Sequence, residues 1–294
     1  MKISILILTK NNGRTIGKVL QRIYAQKSDK VPEIIIVDSG SSDDTVKQIS
    51  KYDVRLYTIH PDEFGHGKTR NMASEYALGD YLVYLSADAI PANENWLRNL
   101  VVKLESKDVG ATFGRQIPYE DTPLMERFFI EKNYPASPKN NYSLKEFGMN
   151  AFFSNVNSAI KRSLWDKIRF SETLIISEDY DWAKRAYNEG YMIEYAPNAT
   201  VFHSHKYSLS GVFKRYFDSG VSFSQMELKP SLLQNGLGYF WEEMKYICRE
   251  NMFLVPYAIC YDLFKFLGFF AGVRQKWIPS MIKAHLSMHA YYWK

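Results

Sequence analysis

The chain has 294 residues, a formal net charge of +5 and two cysteines. This length supports one large domain or two modest ones with a core that needs no disulfides. Cys248 and Cys260, twelve residues apart on a helical pattern, are expected to be buried thiols in a reducing compartment, the cytoplasm, and a disulfide between them is the alternative. The small charge excess does not indicate a nucleic-acid-binding protein. The N-terminal apolar run is too short for a signal peptide, and no uninterrupted apolar stretch of about 18 residues predicts a membrane span.

The first third of the chain alternates strand and helix patterns. Strands are predicted at residues 3–8, 33–37, 54–59, 81–85 and 109–113, and the first is a continuous apolar run, typical of a strand covered on both faces. Apolar residues recur at helical spacing between the runs, over residues 16–23, 69–78 and 96–104. Strands that alternate with helices predict βαβ units around a mostly parallel, Rossmann-like sheet, which is an α/β architecture.

The remainder of the chain predicts two further regions. Residues 134–142 are rich in Pro, Ser and Asn and predict an exposed loop, 179–188 predict a helix, and 191–195 and 200–202 predict short strands. Of the 64 residues from 231 to 294, 15 are aromatic, and seven basic side chains outnumber four acidic ones. This composition predicts amphipathic helices with a basic edge. The expected divisions are 1–115, 116–225 and 226–294.

Polar residues end the apolar runs at the edge where an open parallel sheet binds its ligands. The residues at these ends are Thr9 and Asn11 after the first run, Asp38 and Ser39 after the second, and Asp88, with the apolar Ala87 before it, after the fourth. Two carboxylates at one edge suit a ribose or base contact at Asp38 and a metal at Asp88. A turn or helix-cap role is the alternative for each carboxylate.

A basic segment with two glycines, Phe-Gly-His-Gly-Lys-Thr-Arg-Asn, spans residues 64–71. Its glycines allow close backbone approach to a ligand, and its cations and the N-terminus of the following helix attract phosphate. We therefore assign Gly67, Lys68, Arg70 and Asn71 to a phosphate-bearing ligand. Asp62 stands where a Walker loop requires its first glycine, which disfavours a P-loop nucleotidase, and a solvated basic loop is the alternative.

An acidic cluster opens the predicted helix at 179–188. Glu178, Asp179 and Asp181 are candidates for a general base that deprotonates a hydroxyl, although acids at a helix start are also favoured by the helix dipole. His203 and His205 follow at alternate positions of an extended segment. Two such side chains do not easily face one metal, so one of them is expected to be a ligand, and His203 is preferred.

In this order and spacing, the motifs resemble those of the family 2 inverting glycosyltransferases with the GT-A fold, from residue 1 to about residue 225. The resemblance is carried by Ile-Leu-Thr-Lys-Asn-Asn (7–12), Ile-Val-Asp-Ser-Gly-Ser-Ser-Asp-Asp-Thr (36–45), Leu-Ser-Ala-Asp-Ala (85–89) and Ser-Glu-Asp-Tyr-Asp-Trp (177–182). It implies an enzyme that takes a sugar from a nucleoside diphosphate. Residues 1–115 would form the half that binds the nucleotide sugar, and 116–225 the catalytic, acceptor-binding half.

Further segments resemble the bacterial rhamnosyltransferases of this family. These are residues 64–71, Ala-Asp-Ala-Ile-Pro-Ala (87–92), Gly-Arg-Gln-Ile-Pro (114–118) and His-Ser-His-Lys-Tyr-Ser (203–208). The resemblance implies dTDP-L-rhamnose as donor and a role in surface polysaccharide synthesis, such as that of O-antigen or cell wall, and a UDP-hexose is the alternative donor. Four residues are assigned to acceptor binding or another role in the site: Arg115, Trp182, Arg185 and His205.

The chain departs from the family pattern at Ser86, where the metal-binding Asp-x-Asp motif has its first aspartate. A divalent ion would then be held by Asp88, His203, the diphosphate and water. Mg²⁺ tolerates few protein ligands, whereas a histidine ligand favours Mn²⁺. In the implied mechanism, Thr9 and Asp38 hold the nucleotide, and Asp179 deprotonates the acceptor in a single displacement that inverts the anomeric carbon.

The C-terminal helices are predicted to lie on the cytoplasmic face of the plasma membrane, where the acceptor would be a lipid-linked saccharide. The alternative is a helical arm that packs on the catalytic domain or pairs two copies of the chain as a homodimer. A non-catalytic scaffold that binds sugar nucleotides is the competing function, but it needs no general base. An NAD enzyme is disfavoured because no Gly-x-Gly-x-x-Gly follows a strand.

Overall fold

Strand β1 (Ile3–Thr9) lies between two parallel neighbours, which explains its continuous apolar sequence. It pairs with β2 (Glu33–Asp38) on one side and with a strand formed by Tyr81–Leu85 on the other. Strand β3 (Arg55–Thr58) extends this arrangement beyond β2, again in parallel. Ile5, Leu6 and Ile7 are all buried because both faces of β1 are covered.

Eight strands form one sheet, in the order β3-β2-β1-β4-β7-β6-β8-β5. The remaining strands are β4 (Tyr81–Leu85), β5 (Ile90–Pro91), β6 (Val109–Ile117), β7 (Asn157–Lys161) and β8 (Met192–Phe202). Strand β7 runs antiparallel between β4 and β6, whereas β6 and β8 are parallel and β5 is antiparallel to β8. The sheet is therefore mixed, with four parallel pairings among seven, because β7 interrupts the succession of parallel strands that the first third predicted.

The two short strands predicted at 191–195 and 200–202 are parts of one strand, β8. Its register against β6 shifts between Gly114, opposite Ala196, and Arg115, opposite Thr200. Residues 197–199 therefore bulge out of the ladder, and Pro197 in this bulge has no backbone N–H to contribute. Gly114 beside the bulge is tightly enclosed, since a Cβ there would lie 2.3 Å from the carbonyl oxygen of Ala199.

The structure, a computed structural model, describes residues 1–27, 32–137, 153–226 and 232–293. Of the loop predicted at 134–142, residues 138–142 lie outside the described residues. The chain divides into two units. The first unit contains residues 1–119, 133–172 and 178–203, including the whole sheet, and the second contains 120–132, 173–177 and 204–294.

The helices predicted in the first unit are present, but some begin or end at other residues than predicted. The helices of the chain are α1 (Ile16–Tyr24), α2 (Thr45–Ile49), α3 (His66–Tyr76), α4 (Trp96–Val101), α5 (Leu124–Asn133), α6 (Arg162–Trp165), α7 (Glu178–Asn188), α8 (Leu209–Gln225), α9 (Leu232–Asn251), α10 (Val255–Val273) and α11 (Ser280–Leu286). Ile16, Val19, Leu20 and Ile23 of α1 are buried against the sheet side that carries Ile5 and Ile7. Burial of each such side chain contributes roughly 1.5–3 kcal/mol to the stability of the folded state.

The second unit contains helices α8 to α11 and nearly all of α5. Helix α8 packs closely on α10 through glycines: a Cβ on Gly220 would lie 2.3 Å from the Phe269 carbonyl oxygen, and one on Gly272 would lie 2.1 Å from that of Phe217. Helix α8 therefore belongs with the C-terminal helices. The last stretch of the second unit begins at Ser204, ahead of α8, and the division expected at residue 226 stays a prediction.

The structure bears on two expectations about the C-terminal helices, and the expected burial of the cysteines is wrong. Cys248 is exposed and Cys260 is partly exposed, so neither is a buried thiol, although both are free as expected. The helical stretch Gly236–Val273 is long and apolar enough to cross a membrane by length and composition alone, and is the one such stretch among the described residues. The criterion of an uninterrupted apolar run missed it because charged residues, including Asp262 and Lys265, interrupt the sequence.

Candidate active site

The carboxyl ends of β1 and β2 meet, as the sequence predicted. Thr9 pairs with Asp38 in the sheet register, and the backbone N–H of Ser39 donates to the carbonyl oxygen of Thr9 at 3.0 Å. Asp38 is buried, and its carboxylate accepts hydrogen bonds from the backbone N–H groups of Gly40 (3.2 Å) and Ser41 (2.9 Å) and from the Ser41 hydroxyl. These contacts match the turn role that was the alternative for Asp38.

Asn11 joins the loops that follow β1 and β2. Its backbone N–H donates to the hydroxyl of Ser41 (2.8 Å), and its side-chain oxygen accepts from the backbone N–H of Ser42 (2.9 Å). Asn11 has a φ of 54°, in the left-handed region that asparagine tolerates better than most residues. Asn11 thus fixes the shape of this edge of the sheet.

The turn after β4 presents Asp88 beside the end of β8. The backbone N–H of Ala89 donates to the Ser86 carbonyl oxygen (3.0 Å), which closes the turn. Ala87 is buried, and its carbonyl oxygen accepts from the Thr15 hydroxyl (3.0 Å), so Ala87 anchors this turn. The Asp88 side chain is about one-third exposed, and its Oδ1 lies 3.5 Å from Nε2 of His203.

A buried hydrogen bond holds the other side of the His203 ring. Nδ1 of His203 lies 2.8 Å from Oε1 of Gln116, a residue of β6. A carboxylate and an imidazole nitrogen that face each other are a donor set that Mn²⁺ accepts. His205 follows in the second unit, beyond the boundary at Ser204. Gln116 was not among the predicted site residues, and only its place in the 114–118 motif drew attention to it.

Asp179 lies in the first turn of α7, in a setting that favours a general base. Its carboxylate accepts hydrogen bonds from the backbone N–H groups of Asn155 (3.2 Å) and Tyr180 (2.8 Å). Burial, reinforced by the neighbouring charge of Glu178, raises the pKa of Asp179 to about 6. A carboxyl with this pKa is mostly ionised at neutral pH and is a stronger base than an ordinary aspartate.

The turn at residues 154–156 links the base to the predicted metal-binding turn. Asn155 donates its backbone N–H to Asp179, and the carbonyl oxygen of the next residue, Val156, accepts from the Ser86 N–H at 3.0 Å. The side-chain Nδ2 of Asn155 is buried and has no hydrogen-bond partner among the described residues. No sequence pattern predicts a role for Asn155, because its position depends on the antiparallel return of β7.

The basic segment at 64–71 serves several purposes in the structure. Arg70 forms a buried ion pair with Glu178, at 2.5 Å, and also donates to the His66 carbonyl oxygen. A Cβ on Gly67 would lie 1.8 Å from the Ser171 carbonyl oxygen, so this glycine is required for packing. Lys68, in the first turn of α3, is exposed and is the cation of this segment that remains available to an anionic ligand.

Several other predicted site residues are structural. Asn71 is buried, and its amide bonds to Phe170, to the Glu172 carboxylate (2.9 Å) and to the Trp165 indole (3.3 Å). It therefore holds the 165–172 segment, and we do not retain it as a nucleotide ligand. Trp182 is 0% exposed, and its indole donates to the Ile168 carbonyl oxygen (2.6 Å). A side chain in the core cannot touch an acceptor, which corrects that assignment.

The remaining predicted residues have defined partners. Arg185 pairs with Asp181 at 2.9 Å, one turn earlier in α7, and donates to the Arg169 carbonyl oxygen. This pairing leaves Asp181 less suited than Asp179 to act as a base. Arg115 donates to the Tyr134 carbonyl oxygen at 3.3 Å and is half-buried beside the bulge of β8.

Comparisons with known proteins identify relatives of this chain. Residues 4–169 match the model of Glycosyl transferase family 2. The chain is 30% identical to the O-antigen chain rhamnosyltransferase WbaN of Salmonella anatum, over 99% of this chain and 95% of that protein. It is also 30% identical to the O-antigen chain rhamnosyltransferase RfbN of Salmonella typhimurium, over 100% of this chain and 96% of that protein.

Solved structures share the fold at low sequence identity. The mannosyltransferase PcManGT of Pyrobaculum calidifontis, in complex with GDP-Man and Mn²⁺, has a TM-score of 0.58 at 18% identity, covering 99% of this chain and 84% of that one. TarS of S. aureus, in complex with UDP, has a TM-score of 0.56 at 15% identity, covering 94% and 92%. The chain therefore belongs to glycosyl transferase family 2, and it is a glycosyltransferase with the GT-A fold.

Proposed function

We propose that this glycosyltransferase transfers L-rhamnose from dTDP-L-rhamnose to a hydroxyl of a lipid-linked saccharide during synthesis of a bacterial surface polysaccharide. The observation that carries the choice of sugar is the 30% identity over the full chain to two O-antigen chain rhamnosyltransferases. Because the match extends over the whole chain, it includes the C-terminal helices as well as the sheet.

The general base of the proposed reaction is Asp179. It takes the proton of the acceptor hydroxyl while that oxygen attacks the anomeric carbon and the bond to the diphosphate breaks. A single displacement with one base on the side opposite the leaving group inverts the anomeric centre. The raised pKa of Asp179, about 6, supports this role because a general base is most efficient when its pKa lies near the working pH.

The substrate-binding residues are proposed around the same turns. Thr9, with the turn that Asp38 and Ser39 form, supports the nucleotide at the ends of β1 and β2. Lys68 offers a charge to the diphosphate. The buried Nδ2 of Asn155, which has no partner among the described residues, supplies a donor for a substrate oxygen beside Asp179.

A divalent cation is proposed between Asp88 and His203, with Mn²⁺ preferred to Mg²⁺ because one ligand is an imidazole. The residues fit a metal, since the hydrogen bond of Nδ1 to Gln116 leaves Nε2 facing Asp88. When bound, the ion offsets the charge that builds on the leaving diphosphate. The PcManGT structure in complex with GDP-Man and Mn²⁺ supports this assignment at the level of the fold.

The exposed face of α10 is proposed to rest on the inner surface of the plasma membrane. Ile259, Leu263, Phe266, Leu267 and Phe270 are each 42–51% exposed. They share one side of the helix, opposite the glycines that pack on α8. Arg274 lies over the Phe270 ring at 3.6 Å, and Lys276 and Trp277 beyond it are exposed.

A surface position is preferred to a membrane span, although α10 is long enough for one. Asp262 and Lys265 form an ion pair at 2.7 Å on the inward side of α10, and Lys265 also lies 3.3 Å from Glu243, whose side chain is fully buried. A helix that spans a membrane alone would have to bring these charges into hydrocarbon. An amphipathic helix on the interface keeps them inside the protein and places its cations near anionic lipid headgroups.

The experiment that tests the donor is a direct comparison of nucleotide sugars. The purified full-length chain would be incubated with dTDP-L-rhamnose, UDP-glucose or GDP-mannose, with Mn²⁺ or Mg²⁺, and its thermal stabilisation measured. We expect stabilisation by dTDP-L-rhamnose, with Mn²⁺ enhancing it, because a ligand that binds only the folded state raises its stability. Stabilisation by a UDP-sugar but not by dTDP-rhamnose would contradict the donor and leave the family assignment intact.

A further inference from the structure

A buried chain of hydrogen bonds lies behind His203. The Gln116 side chain places Oε1 2.8 Å from Nδ1 of His203, and its Nε2 donates to the hydroxyl of Tyr134 at 2.5 Å. Gln116, Tyr134 and His203 are 5%, 2% and 7% exposed, so water does not compete for these bonds. All three residues belong to the first unit.

The orientation of the Gln116 amide in the structure sets the direction of this chain. Its Nε2, which only donates, faces the Tyr134 hydroxyl, and its Oε1, which only accepts, faces the imidazole. In this orientation Nδ1 of His203 carries a hydrogen, and in the neutral ring the lone pair is on Nε2. That lone pair and the Asp88 carboxylate, 3.5 Å apart, are two acceptors facing each other, an arrangement that a cation between them would stabilise.

We propose that Gln116 is a positioning residue that fixes the tautomer and ring orientation of His203 for metal binding. Gln116 acts through the ring and does not touch the ion. This inference rests on the divalent cation of the proposed function. Outer hydrogen bonds to a metal-binding histidine typically change metal affinity 10–100-fold, so Gln116 is expected to have an effect of that size.

Four full-length proteins test the inference: wild type, Gln116→Met, Gln116→Glu and His203→Ala. Mn²⁺ binding in the presence of dTDP would be titrated by the loss of the free-ion EPR signal. Gln116→Met keeps the side-chain length and removes the hydrogen bond, so we expect Mn²⁺ affinity to fall about 10–100-fold. Gln116→Glu keeps an oxygen that accepts from Nδ1–H, so its affinity should stay within about threefold of wild type.

The tautomer is measured separately, without metal. ¹⁵N NMR of His-labelled protein at pH 8.5 should show hydrogen on Nδ1 of His203 in wild type and Gln116→Glu, and a mixture of tautomers in Gln116→Met. Hydrogen on Nε2 in wild type would overturn the inference. Unchanged Mn²⁺ affinity in His203→Ala would overturn the metal role and the inference together, whereas loss in His203→Ala with wild-type affinity in Gln116→Met would overturn the Gln116 role alone.

Discussion

Arg70 and Glu178 form a buried ion pair one residue away from Asp179. Their side chains are 13% and 5% exposed, and Nη1 of Arg70 lies 2.5 Å from Oε1 of Glu178. The two partners act on Asp179 in opposite directions, since the charge of Glu178 raises its pKa and that of Arg70 lowers it. The pair therefore joins α3 to α7 and also sets the basicity of the proposed base.

Arg70→Met should destabilise the protein by roughly 3–5 kcal/mol, because it leaves a buried carboxylate without its partner. Chemical denaturation at pH 7.5 measures this. The matched control is Lys27→Met, which removes an exposed ion pair with Glu94 and should cost less than about 1 kcal/mol. Equal losses of stability in the two variants would show that the Arg70–Glu178 pair stabilises the protein no more than the exposed pair does.

Asp179→Asn should abolish sugar transfer and leave the affinity for the donor within about threefold of wild type. The amide keeps the shape of the side chain but cannot take the proton of the acceptor hydroxyl. Transfer would be followed with radiolabelled donor, and donor binding by calorimetry. Asp181→Asn is the control, since Asp181 pairs with Arg185 and should be dispensable for the proton transfer. Wild-type turnover in Asp179→Asn would remove Asp179 from the mechanism.

The pH profile follows from the same carboxyl. Asp179 acts as a base only when ionised, so kcat/KM should fall as the pH decreases through about 6. Glu178→Gln removes the charge that raises the pKa of Asp179, so the midpoint should move to lower pH. A profile that is flat from pH 5 to 8 in both proteins would exclude Asp179 as the titrating group.

Stability should respond to pH in a defined direction. The pKa of Asp179 is about 6 in the folded protein, whereas an aspartate in the unfolded chain has its ordinary value of 3.8. The folded protein therefore binds the proton of this carboxyl more tightly than the unfolded chain does. The contribution of Asp179 to stability is therefore present below about pH 4 and is lost as the pH rises through about 6. Asp179→Asn should be more stable than wild type at pH 7.5, by up to about 3 kcal/mol, and a variant less stable at this pH would contradict the raised pKa.

The contrast between predicted and observed features has a physical origin. Local pattern located β1, β2 and β4 to within one residue, because their burial on both faces leaves a continuous apolar run. Strand ends then predicted the meeting of Thr9 and Asp38, since parallel register fixes which ends coincide. Asp88 and His203, about 115 positions apart, were predicted from residue chemistry and resemblance, and they lie together in the fold.

Local sequence pattern did not predict the residues whose roles depend on partners that are distant in the sequence. Asn155 bonds to Asp179 in α7, and Gln116 in β6 bonds to His203 just beyond β8, and neither residue has a local signature. Conversely, Asn71 and Trp182 stand within motifs that suggested binding, yet tertiary contacts commit both to the core. Residue type and spacing therefore predicted which strand ends meet, whereas tertiary contacts decide which side chains lie in the core.

Gly272→Ala should destabilise the second unit, because the added methyl would lie 2.1 Å from the Phe217 carbonyl oxygen and force α10 away from α8. We expect a loss of roughly 1–3 kcal/mol from this overpacking. Gly238→Ala in α9 is the control: its Cβ meets nothing within 4 Å, so it should be neutral or stabilising by up to about 1 kcal/mol. Thermal unfolding of both variants measures the difference, and equal stability would argue against close α8–α10 packing.

Leu263→Ser with Leu267→Ser should weaken binding to vesicles of anionic phospholipid at least about tenfold, because burial of each leucine contributes roughly 1.5–3 kcal/mol. Substitution is preferable to truncation, since removal of α10 would expose the glycine-containing face of α8 with which it packs. The matched control is Val46→Ser with Leu78→Ser, which removes exposed apolar side chains from the first unit. Flotation with anionic and neutral vesicles measures the binding, and wild-type should prefer the anionic ones. Unchanged flotation of the α10 variant, or equal losses in both variants, would contradict membrane contact through this face.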